Sequence, residues 1–431
     1  MQRVFVIDQN KQPLMPCHPA RARELLKAGK AAVFRRFPLT IILKERAGGA
    51  TQPMALKVDP GSKTTGLAMV AEFQHGKYVI WAAELTHRGQ TIRDALLHRR
   101  QIRQSRRQRK TRYRVARFNN RLRAVGWLAP SLQSRVENIW TWVVRLAQAC
   151  PIVYLSQELV RFDTQLMQNA EISGIEYQQG ELQGYEVREY LLEKWRRQCA
   201  YCGAQDLPLE IEHITPRTRG GSNRVSNLSL ACHNCNKKKS TQTAAEFGYP
   251  DIQKNAKQSL KDGSAINATR WALFEQLKLS GLPVEVGTGG RTKFNRFRQG
   301  YPKAHWIDAA CVGESGSRII LSPNQMILLI RATGHGSRQM CRTDKYGFPT
   351  RHRLHQKRHF GFQTGDIVEA HVPTGKYAGT RVGRVACRAT GYFDIATAIG
   401  KITTSHKYLK LIHHSDGYTY EKGQGALPPH T

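Results

Sequence analysis

Short apolar runs at Val4-Phe5-Val6-Ile7, Ala32-Val33-Phe34 and Leu39-Thr40-Ile41-Ile42-Leu43 predict strands. Residues 20–28, closed by Gly29, predict a helix among them. Pro13-Leu14-Met15-Pro16 lies between the first strand and that helix, and Gly48-Gly49 ends this small unit. Residues 56–59, 66–71 and 79–82 predict three more strands, with Pro60-Gly61-Ser62 as the turn after the first, a β-hairpin sheet. Val136, Ile139, Trp140, Val143, Val144 and Leu146 recur at helical spacing, so 131–149 reads as an amphipathic helix. A buried strand over 152–155 follows and leads into Glu158. Helices are predicted over 184–197 and 265–280. Residues 313–360 read as irregular and basic, and 361–400 alternate in strand fashion between Gly-rich turns, which suggests a small antiparallel barrel.

One segment fits none of these patterns. Between Arg93 and Arg123 lie Arg99, Arg100, Arg103, Arg106, Arg107, Arg109, Lys110, Arg112, Arg114, Arg117 and Arg121, with no Pro or Gly from 92 to 123. Helix is the expected state, roughly 45 Å long, with cations on every side and no ordinary core face. Polyanion on its flanks would stabilise it; the plain alternative is a disordered basic arm. The whole chain agrees with the first reading. Its 67 Lys and Arg against 32 Asp and Glu give a formal charge of +35, so nucleic acid is the first candidate partner. With 431 residues it is long enough for two to four domains.

Nine cysteines are present, without a disulfide-framework spacing, which points to a reducing, cytoplasmic setting. The N-terminus has no signal-peptide pattern, and no apolar run reaches membrane-spanning length, so no membrane partner is expected. Four of the cysteines form two Cys-x-x-Cys pairs, Cys199/Cys202 and Cys232/Cys235. Two such turns supply four thiolates, a closed tetrahedral site for a structural Zn²⁺. Between the pairs lie Leu209-Glu-Ile-Glu212-His213-Ile-Thr-Pro216 and Asn227, and Asn236 follows the second pair. A neutral imidazole can take a proton from water. A carboxylate and an amide oxygen can hold Mg²⁺ against a phosphate. His213 fits the base, Glu212 and Asn236 the cation ligands, and Asn227 can fix the backbone around the histidine. The plain alternative is a zinc ribbon with an incidental histidine.

Three further acidic positions fall far apart: Asp59 at a strand end, Glu158 after the buried strand, and His305-Trp-Ile-Asp308. Each alone reads as a turn, strand-end or helix-cap residue. Brought together by folding, such carboxylates make a two-metal phosphodiesterase.

The cysteine-bracketed stretch resembles the HNH nucleases. That resemblance implies a ββα-metal module cutting one DNA strand with one Mg²⁺, with His213 as base, Glu212 and Asn236 as metal ligands and Asn227 as the middle Asn. Asn at the last position, rather than His, is similar to the RNA-guided members. Asp59, Glu158 and His305/Asp308 resemble the three segments of a split RuvC nuclease holding two Mg²⁺. The arginine helix stands where a bridge helix belongs, and Pro13-Leu-Met-Pro16 is similar to the N-terminal motif of the IscB family. IscB proteins are transposon-encoded RNA-guided nucleases related to the large type II CRISPR effectors.

The implied fold class is a multidomain α/β protein with an RNase H-like mixed sheet split in three. The implied organisation is an N-terminal unit (1–52), RuvC segments over 53–90, 126–183 and 249–312, and a bridge helix (91–125). A linker helix (184–196), an HNH module (197–248) and a basic C-terminal domain reading a target-adjacent motif (313–431) complete it. Only about 35 residues separate Arg123 from Glu158, too few for a large helical recognition lobe. A long structured guide RNA, the OMEGA RNA of this family, would cradle the guide–target duplex instead. The expected partners are that RNA and double-stranded DNA, bound by a monomeric protein in a ribonucleoprotein. The expected HNH site cuts the target strand and the RuvC site the displaced strand. Two other readings remain: an RNA-independent homing or junction-resolving nuclease, and a non-catalytic structured-RNA-binding protein.

Overall fold

The computed structural model describes residues 2–109, 127–159, 191, 192, 194–205, 207–223, 225–257, 263–322, 325–335, 340–346, 348–352 and 356–424. The expected arginine helix beyond residue 109, with Lys110, Arg112, Arg114 and Arg117, lies outside them, as does all of 160–190 and with it most of the expected linker helix over 184–196.

The N-terminal unit is a four-stranded sheet of β1 (Val4–Ile7), β2 (Pro13–Cys17), β3 (Ala31–Arg35) and β4 (Thr40–Leu43), in the order β2-β1-β4-β3, with helix α1 (Pro19–Lys27). The segment Pro13 to Pro16, read only as a motif, is itself an edge strand. The edge is where Pro, which lacks a backbone donor, is tolerated. Phe37 stacks on Tyr420 at 4.3 Å and joins this unit to the far end of the chain.

β5 (Met54–Asp59), β6 (Thr64–Phe73) and β7 (Gly76–Thr86) form the expected antiparallel hairpins. α2 (Gly89–Gln108) and α3 (Pro130–Ala147) follow, then β8 (Ile152–Glu158), parallel to β5. Next comes a small module of β9 (Leu209–His213), β10 (Leu228–Cys232) and α4 (His233–Lys239). The chain returns through α5 (Asp251–Lys257), α6 (Gly263–Lys278), β11 (Val284–Gly287), α7 (Gly289–Arg298) and α8 (His305–Ala310). β11 pairs in parallel with β8, so the β9–β10–α4 module is an insertion between two adjacent strands of one sheet.

That sheet does not end where the sequence pattern suggested. β12 (Met326–Ala332) pairs in parallel with β7, inside the stretch read as irregular. Two short hairpins follow, β13 (Cys341–Thr343) with β14 (Pro349–His352), and β15 (Arg358–His359) with β16 (Phe362–Gln363). Then come β17 (Ile367–Val372), β18 (Gly379–Ala386), β19 (Tyr392–Thr397), β20 (Gly400–Ser405), β21 (Leu409–His413) and β22 (Tyr418–Gln424). β22 pairs antiparallel with β12 and completes a seven-stranded mixed sheet, β11-β8-β5-β6-β7-β12-β22. A boundary at 312 therefore cuts through the sheet. Met326-Ile-Leu-Leu-Ile330 is a continuous apolar run because both faces of the strand meet a core, Leu328 and Ile330 on one side and Ile327 and Leu329 on the other. In place of a closed barrel, β17 to β21 make a five-stranded antiparallel sheet, β20-β19-β18-β17-β21, whose edge strands do not pair with each other.

Alternation along β5 explains how the large sheet is covered. Met54, Leu56 and Val58 face a core with Trp81, Trp142, Val143, Leu146, Leu273 and Leu277, so α3 and α6 lie on that side. Ala55 faces the opposite core, where Ala68, Val70 and Ala82 meet Trp306, Ile307 and Ala310 of α8. Small residues on this face let α8 lie close to the strands. No helix among the described residues is long and apolar enough to cross a membrane.

Candidate active site

Asp59 ends β5 and Glu158 ends β8; the two strands are parallel neighbours, so both carboxylates lie at the same edge of the sheet. Asp59 is paired in register with Gly66 of β6. A Cβ built on Gly66 would lie 1.8 Å from the backbone oxygen of His305. Glycine is what allows the start of α8 to rest there, and α8 carries both His305 and Asp308. Asp59, Glu158, His305 and Asp308, the four residues singled out across some 250 positions of sequence, therefore line one cleft. Gly66→Ala should push α8 off the sheet and destabilise the protein by about 1–3 kcal/mol. A lowered Tm checks this; an unchanged Tm would mean that α8 has room to move.

The cleft also holds Arg197, Arg270, Lys293, Arg296 and Lys303. Arg270 donates from Nη2 to Glu158 Oε1 at 2.9 Å, Arg296 Nε lies 2.9 Å from Asp308 Oδ1, and His305 Nδ1 lies 3.8 Å from Asp59 Oδ2. Burial, and then the charge of Asp59, raise the carboxyls of Glu158 and Asp308 above the usual range. The Asp59 carboxylate raises His305. Three carboxylates converging at a strand edge are a hard oxygen donor set, which suits a divalent cation such as Mg²⁺. Sequence reasoning missed the two arginines. The cue was slight: each sits in a helix among residues that bury their neighbours, and a buried Arg needs a partner.

The inserted module is a ββα unit, with β9 and β10 antiparallel and α4 starting directly after Cys232. The Sγ atoms of Cys199, Cys202, Cys232 and Cys235 all lie within 4.8 Å of one another. A tetrahedron with Zn–S arms of about 2.3 Å has edges of about 3.8 Å, and Cys202 and Cys232 stand 3.8 Å apart. The donor set and its spacing fit a structural Zn²⁺.

His213 ends β9, half-exposed, with Nε2 2.9 Å from Asn223 Oδ1. Asn227 is buried; its amide donates to Thr215 O and Ser222 O and its oxygen accepts from Thr215 N, so it closes the loop that follows the histidine. Asn236 lies on α4. Glu212 is not placed as expected. Its Oε1 pairs with Lys239 Nζ at 2.5 Å, and its Oε2 accepts from Tyr201 and Ser229, all in the module core. The acid beside Asn236 is Glu210, whose Oε2 accepts from the Asn236 amide at 2.6 Å, with His233 at 3.0 Å on Oε1. The i, i+2 alternation of Leu-Glu-Ile-Glu-His puts both glutamates on one strand face. Sequence spacing alone does not say which one Lys239 covers.

The nucleic-acid expectation rests on α2. Arg99, Arg100, Arg103, Arg107 and Arg109 are exposed and Arg106 is half-buried. Arg109 donates to Lys345 O in the β13–β14 turn.

Residues 4–180 match the RRXRR protein family, and residues 199–242 match the HNH endonuclease family. No curated protein matches the chain. Among solved structures, one similar chain is Streptococcus thermophilus Cas9 in complex with the GGAA PAM. It shows 11% identity and a TM-score of 0.22, over 60% of this chain and 32% of that one. Another is the Type II-C Cas9 enzyme from Actinomyces naeslundii, at 17% identity and TM-score 0.16, over 44% and 23%. The chain thus spans about a third or less of the length of these proteins. The HNH match, on a ββα unit with a four-cysteine cluster, supports a nuclease.

Proposed function

We propose that the protein is an RNA-guided, Mg²⁺-dependent DNA endonuclease of the IscB kind, with two separate sites. In this reading the seven-stranded sheet is a RuvC-type, RNase H-like core and the inserted ββα unit is the HNH module. The observation that carries it is the meeting of Asp59, Glu158 and Asp308 in one cleft, from three segments between which the module and the arginine helix are inserted.

At the sheet edge, Asp59, Glu158 and Asp308 would hold divalent cations, and His305, raised by Asp59, would hold or pass a proton at Nδ1. Bound there, Mg²⁺ supplies charge stabilisation to a phosphodiester and a water of lowered pKa. In the module, His213 Nε2 would take the proton of the attacking water, after leaving Asn223. Asn227 holds the loop behind it. Asn236 with Glu210 is the open amide–carboxylate pair, and Glu212 reaches a cation only if Lys239 withdraws.

The exposed arginines of α2, together with Lys110, Arg112, Arg114 and Arg117 that follow in the sequence, would bind phosphates of a long structured guide RNA and of the target duplex. Base pairing then reads the sequence, and the C-terminal β17–β21 sheet reads a short flanking motif, as the handling of targets by guided nucleases requires. The charge of +35 supports a ribonucleoprotein.

Purification of the protein from its host, followed by sequencing of the bound RNA, tests this. One discrete, long RNA carrying a variable guide is expected. RNA that merely mirrors cellular abundance would favour a non-specific binder.

A further inference from the structure

The cleft at the sheet edge is lined by three carboxylates and by five Lys or Arg side chains. Before any cation enters, it is net positive, the reverse of what a site built to attract free divalent ions needs. Two of the cations are deeply placed: the side chain of Arg270 is 10% exposed and that of Arg296 is 5% exposed. An arginine so buried needs a fixed anionic partner, and here the partners are Glu158 and Asp308, each at 2.9 Å. Those guanidinium groups occupy carboxylate oxygens that an octahedral cation would need.

We infer that Arg270 and Arg296 stand in for the metal ions and make metal loading depend on the bound strand. A divalent ion arriving alone meets a net positive cleft and two occupied carboxylates. A strand brings phosphate, which offers each guanidinium a second, bidentate anionic partner. The arginine then transfers from carboxylate to phosphate, and the freed carboxylate takes the cation. No covalent bond changes in this exchange; two ion pairs are replaced by two others and a metal coordination. The cleft stays free of metal until a strand lies in it. Both arginines are positioning residues here, acting through Glu158 and Asp308. The inference rests on the proposed assignment of the three carboxylates as metal ligands.

Mn²⁺ binding to the full chain tests it without any cleavage. The relevant component is the Mn²⁺ binding that Asp59→Ala removes. Wild-type protein should show this component only with a short phosphorothioate single strand present. Arg270→Gln, and independently Arg296→Gln, should show it without the strand, roughly tenfold or more tighter than wild type. Arg270→Lys, which keeps the charge, should stay near wild type. If wild type loads Mn²⁺ equally well without the strand, or neither glutamine variant gains strand-free affinity, the inference is overturned and the carboxylate assignment stands. If Asp59→Ala removes no Mn²⁺ binding even with the strand, the carboxylate assignment itself fails.

Discussion

His213→Ala should leave a guided complex that nicks only the displaced strand, and Asp59→Ala one that nicks only the target strand. Loss of a general base costs about 10²–10⁴-fold in rate, enough to take one cut below detection in an end-labelled assay. Asp59 has a double effect. It supplies a carboxylate at the cleft, and it is the anionic neighbour of His305. The two sites share no residue. His213 sits at the end of β9 in the inserted unit, while Asp59 sits at the end of β5 in the large sheet. Each loss should therefore be strand-specific, with target binding unchanged. If either substitution abolished both cuts while the protein stayed folded and bound, one shared site would replace the two.

The second large effect falls on the cysteine cluster. Cys232→Ser, or a strong chelator, should unfold the module over 197–248 while leaving the large sheet intact. The module has its own small core, including Tyr201, Leu209, Ile214, Leu228 and Leu230. A unit this small buries too little apolar surface to be secure alone. Structural Zn²⁺ contributes on the order of 10–16 kcal/mol in comparable small folds, as much as the whole stability of a typical domain. Cys232 has further weight because it ends β10 and directly precedes α4, which carries Asn236 and Lys239. The expected readout is proteolysis within 197–248 in either case and, for Cys232→Ser in Mg²⁺, loss of the target-strand cut alone. A module that stays protease-resistant after chelation would show that its core suffices without metal.

Much of this was legible in the sequence for local reasons. Apolar runs gave β1, β4 and the β5–β7 hairpins, because strands with one or two buried faces leave a pattern in their own residues. Asp59 and Glu158 stood out because each ends such a run, and the Cys-x-x-Cys pairs because thiolates at that spacing share one turn. What escaped depends on partners far along the chain. β12 and β22 join a sheet whose other strands lie mostly before residue 160, and nothing in either segment names β7. Pro13 to Cys17 hid its strand behind two prolines that only an edge position permits. Glu212 and Glu210 are equivalent by alternation, and the buried Nζ of Lys239, from the following helix, decides between them. Arg270 and Arg296 were invisible as site residues because an arginine in a helix is ordinary until its carboxylate is known.

The most direct test is cleavage of a duplex labelled on both strands, by the full protein with its own RNA, before and after RNase treatment. The expected result is that both strands of the matched target are cut in Mg²⁺, and that RNase abolishes both cuts. Cutting of both strands that survives RNase and needs no added RNA would contradict a guided nuclease and leave a protein-guided one in its place.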